Sequence, residues 1–69
     1  MINIKLNGTG KTLENQIKLS DFINGELKGK EPKGIAVALN ETIIPKQKWE
    51  SVLLNENDEV EIVHAVQGG

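Results

Sequence analysis

The sequence predicts a single small α+β domain in which one amphipathic helix lies across a mixed sheet of about four to five strands. Three observations carry that expectation. Apolar residues alternate near both ends of the chain, as Ile2, Ile4, Leu6 and again as Val60 and Ile62, the period-two pattern of half-buried strands. Between them, Leu19, Phe22, Ile23 and Leu27 fall three and four positions apart, the spacing of one helix face. The chain has 69 residues and no cysteine, so it is too short for a separate catalytic module and has no disulfide to supplement a small core. A hydrophobic share of 38% against a charged share of 26% favours an ordered domain over a disordered polyelectrolyte.

The elements follow in order. Ile2–Leu6 reads as the first strand, Gly8-Thr9-Gly10 as the reversal, and Lys11–Glu14 as an antiparallel return. The helix runs from Leu19 to Leu27, with Ser20 and Asp21 suited to its first turn and Gly29 to its stop. Gly25 weakens its interior by about 1 kcal/mol relative to alanine. Lys30-Glu31-Pro32-Lys33-Gly34 is a loop, since proline lacks a donor and the charges cluster. Ile35–Leu39 and Thr42–Ile44 form a second hairpin about the turn Asn40-Glu41, closed by Pro45. Pro45 then starts one helical turn that presents Trp49 to the core. Asn55–Asp58 is a turn, and Glu59–Val66 makes the last strand. The helix face is expected to cover Ile4, Val37 and Ile62.

Composition removes several function classes. Eight basic residues, all lysine, against ten acids give a net charge of −2, and the aromatics Phe22 and Trp49 stand far apart, so nucleic acid is not expected as a partner. No apolar run approaches the ~18 residues of a membrane span, and the alternating N-terminus is not a signal peptide, so the expectation is a cytoplasmic protein without a membrane partner. Cysteine nucleophiles are absent, and a serine triad would need Ser20 or Ser51 with His64, the only histidine. His64 shares the strand phase of Val60 and Ile62 and reads as a partly buried or rim residue. Glu56, Asp58, Glu59 and Glu61 lack the ligand order of a calcium loop, so no metal site is expected, and they read as a solvated turn and outward strand positions able to steer a basic partner. Asn7-Gly8-Thr9-Gly10-Lys11 lacks the Walker spacing.

The terminus is what remains. Division of the chain into a folded part, 1–65, and a flexible tail, 66–69, leaves two glycines with no side chain to pack. An extended tail from Val66 reaches about 13 Å at about 3.3 Å per residue, enough to carry the α-carboxylate of Gly69 into a narrow pocket of another protein. A frayed end is the plain alternative.

Across Ile35-Ala-Val-Ala-Leu-Asn40, Ile43-Ile-Pro45-Lys46 with Trp49, Asn57-Asp58-Glu-Val-Glu-Ile62 and Ala65-Val-Gln-Gly-Gly69, the chain resembles the ThiS family of thiamine-biosynthesis sulfur carriers, of the ubiquitin-like β-grasp superfamily. Glu41 and Asn57 stand where that family often has glycine, and Lys46 where it often has arginine. The first thirty-four residues match in pattern more than in identity. The resemblance implies a protein cosubstrate and not an enzyme, with no bound cofactor. Gly69 would be adenylated by an E1-like adenylyltransferase using ATP and Mg²⁺, and sulfur from cysteine, delivered by a cysteine desulfurase, would convert it to a thiocarboxylate. Thiazole synthase would be the acceptor. Gly68 would give clearance, while Val66 and Gln67 would guide the tail. Alternatives are the small subunit of molybdopterin synthase, disfavoured by the Asn40–Trp49 segment and the shorter length, a protein-conjugating ubiquitin-like modifier, and a non-covalent β-grasp interaction module.

Overall fold

In a computed structural model the structure describes residues 1–31 and 33–64. Strand β1, Ile2–Leu6, turns back through Asn7-Gly8 into β2, Thr9–Leu13. Both turn residues have positive φ, 50° and 85°, and the closing pair is Leu6 with Thr9, so this is a two-residue hairpin of the Asn-Gly kind. The reversal thus falls earlier than the expected Gly8-Thr9-Gly10. An Asn-Gly pair supplies both left-handed positions by itself, leaving Thr9 and Gly10 to enter the strand and Glu14 to lie beyond it.

Helix α1, Leu19–Leu27, has the expected bounds. Its start is held by the main chain and not by a capping side chain. Leu19 N–H donates to the Val52 carbonyl at 2.7 Å, and Leu54 N–H donates to the Ile17 carbonyl at 3.0 Å. At the other end Lys28 adopts a left-handed φ of 56°, with Gly29 at 84° behind it. Lys28 N–H donates to the Gly25 carbonyl and Gly29 N–H to the Asn24 carbonyl, the paired bonds of a Schellman stop. The left-handed stop therefore begins one residue before the expected glycine.

β3, Ile35–Leu39, and β4, Thr42–Ile43, form the second hairpin through Asn40 and Glu41, both at positive φ. Ile44 leaves the strand, and its N–H donates to the Val37 carbonyl at 2.9 Å. After Pro45 the chain makes a 3₁₀ helix, Lys46–Ser51, longer than the single turn expected. Trp49 is buried there, and its indole N–H donates to the Ile44 carbonyl at 2.8 Å. β5, Glu59–His64, is the last described strand, and the expected continuation through Val66 lies outside the described residues.

The sheet order is β2-β1-β5-β3-β4. β5 is central, parallel to β1 and antiparallel to β3, so the first and last described strands pair in the middle of the sheet. This is the ubiquitin-like β-grasp architecture. One face carries the core of Ile4, Leu19, Phe22, Ile23, Val37, Trp49, Leu54 and Val60, with Ile62 and Leu27 half-buried against it. The expected strand partners are all in or on that core, and Val60 and Leu54 join them as fully buried residues. No helix among the described residues is long and apolar enough to cross a membrane.

Two substitutions test this backbone reading. A Cβ added at Gly25 meets nothing within 4 Å, so Gly25→Ala should stabilise the protein by about 0.5–1 kcal/mol through helix propensity alone. Glu41 holds a φ of 72°, where an L side chain is strained, so Glu41→Gly should add about 1 kcal/mol. Urea unfolding with unchanged slopes reads both. A lowered midpoint in either variant contradicts the corresponding argument.

Candidate functional site: the central strand and the sheet face beside it

Glu59-Val60-Glu61-Ile62-Val63-His64 becomes a strand because alternate residues meet opposite environments. Along the helix-side phase, burial falls from Val60 at 1% exposed, to half-buried Ile62, to exposed His64. The strand therefore runs out of the core toward its C-terminal end. His64 stands opposite Ile35 in the ladder and is exposed, so of the two expected placements it takes the rim and not the partly buried one.

The beginning of β5 is fastened from both sides. Asn40 N–H donates to the Glu59 carbonyl at 2.8 Å, and Glu59 N–H donates back to Asn40 Oδ1 at 2.9 Å. Asn40 Nδ2 also reaches Asp58 Oδ1 at 3.0 Å, while Asp58 Oδ2 accepts from the Asn55 N–H at 2.7 Å. On the β1 side, Glu56 accepts from the Asn3 main-chain N–H at 2.9 Å and from its Nδ2 at 3.3 Å. Asn57 N–H donates to the Asn3 carbonyl at 2.7 Å, with Asn57 left-handed at φ 71° as its place in the turn requires. Glu56 and Asp58 are thus engaged in holding the turn. Among the described residues no three His, Cys, Asp or Glu side chains gather as metal ligands.

Glu59 and Glu61 remain as exposed acids on the face away from the helix. The strand register puts Val63 beside Ala36, and Ala38 beside both Glu61 and Ile43. Ile43 is 64% exposed and Val63 57%, so an apolar stripe crosses β4, β3 and β5 with acids along its margin. Large apolar side chains on a solvent-facing sheet surface are the kind of feature that contacts another protein. The sequence signal was the apolar Val63, out of phase with Val60 and Ile62, and the exposed partner Ile43 one strand beyond β3 could not be placed beside it without the register.

The triad reading has no support in the geometry. Ser51 Oγ donates to the Lys48 carbonyl at 2.9 Å, inside its own 3₁₀ helix. Ser20 lines an open groove with Asn24, Lys46, Gln47, Trp49 and Glu50, in which no histidine takes part. Val66, Gln67, Gly68 and Gly69, the residues expected to carry the function, lie outside the described residues. In sequence they begin two positions after His64, the last described residue of β5.

A protein-family model described as the ThiS family matches residues 4–69. No curated protein matches the chain significantly. Among solved structures, the chain is similar to the crystal structure of a thiamine biosynthesis protein, ThiS, from Geobacter metallireducens. The TM-score is 0.82 at 20% identity, over 99% of this chain and 100% of that one. A solution structure of a thiamine biosynthesis protein from the same organism gives a TM-score of 0.74 at 20% identity, over 99% of this chain and 88% of that one.

The Asn40 bonds can be isolated from its backbone conformation. Asn40→Gly keeps the left-handed φ of 50° but removes the two side-chain hydrogen bonds, and should lower stability by about 1–2 kcal/mol in urea unfolding. An unchanged midpoint would mean that water replaces both bonds without loss.

Proposed function

Because this chain belongs to the ThiS family, we propose that it is a sulfur carrier of thiamine biosynthesis whose reactive group is the α-carboxylate of Gly69. The observation that carries the reading is the extent of the family match, which runs through the diglycine to residue 69. The similar solved structures of thiamine biosynthesis proteins support it through their shared fold.

The chemistry follows from the carboxylate. It is ionised at neutral pH, with a reference pKa of about 3.3–3.7, and an ionised carboxylate is a poor electrophile. An E1-like adenylyltransferase solves this by letting a carboxylate oxygen attack the α-phosphorus of Mg-ATP, releasing pyrophosphate and leaving an acyl adenylate. The terminal sulfur of a desulfurase-derived cysteine persulfide then attacks the acyl carbon and displaces AMP. A thiol, for which free cysteine suffices, cleaves the resulting acyl disulfide, forming a disulfide and leaving the thiocarboxylate that delivers sulfur to thiazole synthase. The carrier supplies no acid, base or metal to these steps. Its part is geometric: a rigid sheet presents a tail whose Gly68 has no side chain to obstruct a channel, with Val66 and Gln67 guiding the approach. The apolar stripe through Ile43 and Val63, with Glu59 and Glu61 beside it, suits docking of a partner with an apolar surface and a basic margin.

Deleting Gly69 should abolish pyrophosphate release by the adenylyltransferase while leaving thermal unfolding unchanged. Continued turnover by the shortened chain would sink the assignment of Gly69. Gly68→Val should reduce kcat for adenylation at least tenfold with little change in the affinity of the complex. Equal turnover would show that the channel tolerates a branched side chain at that place.

A further inference from the structure

The parallel pairing of β1 with β5 is short, joining Lys5 to Glu59 and Leu6 to Val60 before the chain turns away at Asn7-Gly8. Asn7 N–H still donates to the Val60 carbonyl at 2.9 Å. In a continued parallel ladder the next bond would run from the Ile62 N–H to the main-chain carbonyl of residue 7. The turn redirects that carbonyl, and the side chain of Asn7 takes its place. Ile62 N–H donates to Asn7 Oδ1 at 2.9 Å, and Asn7 Nδ2 donates to the Ile62 carbonyl at 3.4 Å. The carboxamide acts as one more peptide unit of β1, reaching two residues further along β5 than the strand itself does.

We infer that Asn7 is a positioning residue for the segment that carries Gly69, clamping the outer end of β5 at Ile62 so that the strand keeps one direction as far as His64. The inference rests on the carrier reading above. Position is what makes it more than a turn residue. On the β3 side the ladder continues to Ile35 and His64, but Ile62 is only half-buried and His64 exposed, so packing holds this end of β5 less than it holds Val60. Paired on one side alone, a strand end can peel and swing about its remaining neighbour; a second hydrogen-bonded side removes that freedom. A strand end displaced at Ile62 shifts the point from which the chain continues toward Gly69, and small displacements of a reacting group lower the rate at which a docked complex reacts. The clamp therefore acts on the step after docking. Neither Asn7 nor Ile62 belongs to the apolar stripe, so binding itself does not depend on it.

Glycine isolates the effect, because Asn7→Gly keeps the positive φ of 50° and the two-residue turn while deleting both side-chain bonds. Asn7→Asp keeps an oxygen for the Ile62 N–H but loses the donor. Amide hydrogen exchange on the isolated full chain should rank Ile62 protection as wild type, then Asn7→Asp, then Asn7→Gly, with the glycine variant about tenfold faster than wild type, as loss of one ordinary hydrogen bond predicts. Adenylation is then assayed by pyrophosphate release with Mg-ATP and the E1-like partner, at a temperature where every variant is fully folded by circular dichroism. The glycine variant should lose roughly fivefold to tenfold in kcat with KM changed less than about twofold. Unaltered Ile62 exchange in Asn7→Gly overturns the clamp. Altered exchange with unaltered kcat, wild type being active, overturns the positioning role alone. Absence of pyrophosphate release from the wild-type chain with a partner active on another carrier overturns the carrier reading and this role with it.

Discussion

Everything in this fold depends on seating β5 between β1 and β3. A strand in the middle of a sheet must satisfy donors and acceptors on both edges, and β5 does so with one parallel and one antiparallel neighbour. Its parallel neighbour is the first strand, so the segment that closes the domain is the one furthest from it in sequence. Val60, near the start of β5, is sealed beneath the same helix that covers Ile4 and Val37. The helix depends on this arrangement for its own start, because the Val52–Leu54 segment leading toward β5 accepts the first helical N–H.

Asparagines perform much of the fastening. Asn7, Asn40 and Asn57 all take positive φ, which only glycine, asparagine and aspartate adopt readily. A glycine in any of these places would serve the turn. Asparagine at 7 and 40 adds a side chain that bonds the main chain of β5, at Ile62 and at Glu59. Asn3 holds the turn before β5 from an ordinary strand conformation, its main-chain N–H and its side chain both donating to Glu56 and its main-chain carbonyl accepting from the Asn57 N–H. Glu41 has the left-handed backbone without such a side-chain partner among the described residues.

Much of this was legible in the sequence because two periodicities, two and 3.6, separate cleanly along the chain. The alternation at Ile2–Leu6 and Val60–Ile62 and the spacing of Leu19, Phe22, Ile23 and Leu27 identify the sheet, the helix and the face they share. Errors arose where a local choice had two solutions. Gly8-Thr9-Gly10 offers a turn, but Asn7-Gly8 offers a tighter one matched to strand twist, and the tighter one wins. For His64 the sequence left burial and the rim both open, and the rim is taken because the strand has left the core by the time it reaches that residue. The Asn7 and Asn40 bonds to β5 were invisible because they join residues 55 and 19 positions apart, and no local pattern encodes a side chain substituting for a ladder bond. The family resemblance rested mainly on the second half of the chain, while the family match begins at residue 4 and takes in the first strand.

The function assigned to this architecture asks little chemistry of the domain and much geometry. A central strand is anchored at its start by Asn40 and farther along by Asn7, it carries part of an exposed apolar stripe suited to a partner, and in sequence it precedes the tail that ends in Gly68-Gly69. The central claim is that this tail leaves with sulfur. It is tested most directly by the intact mass of the protein before and after incubation with Mg-ATP, an E1-like adenylyltransferase, a cysteine desulfurase and cysteine. The account predicts a gain equal to replacement of one oxygen by one sulfur, absent when Gly69 is deleted. No gain with partners proven active on another carrier would contradict it and leave a β-grasp domain that binds without accepting sulfur.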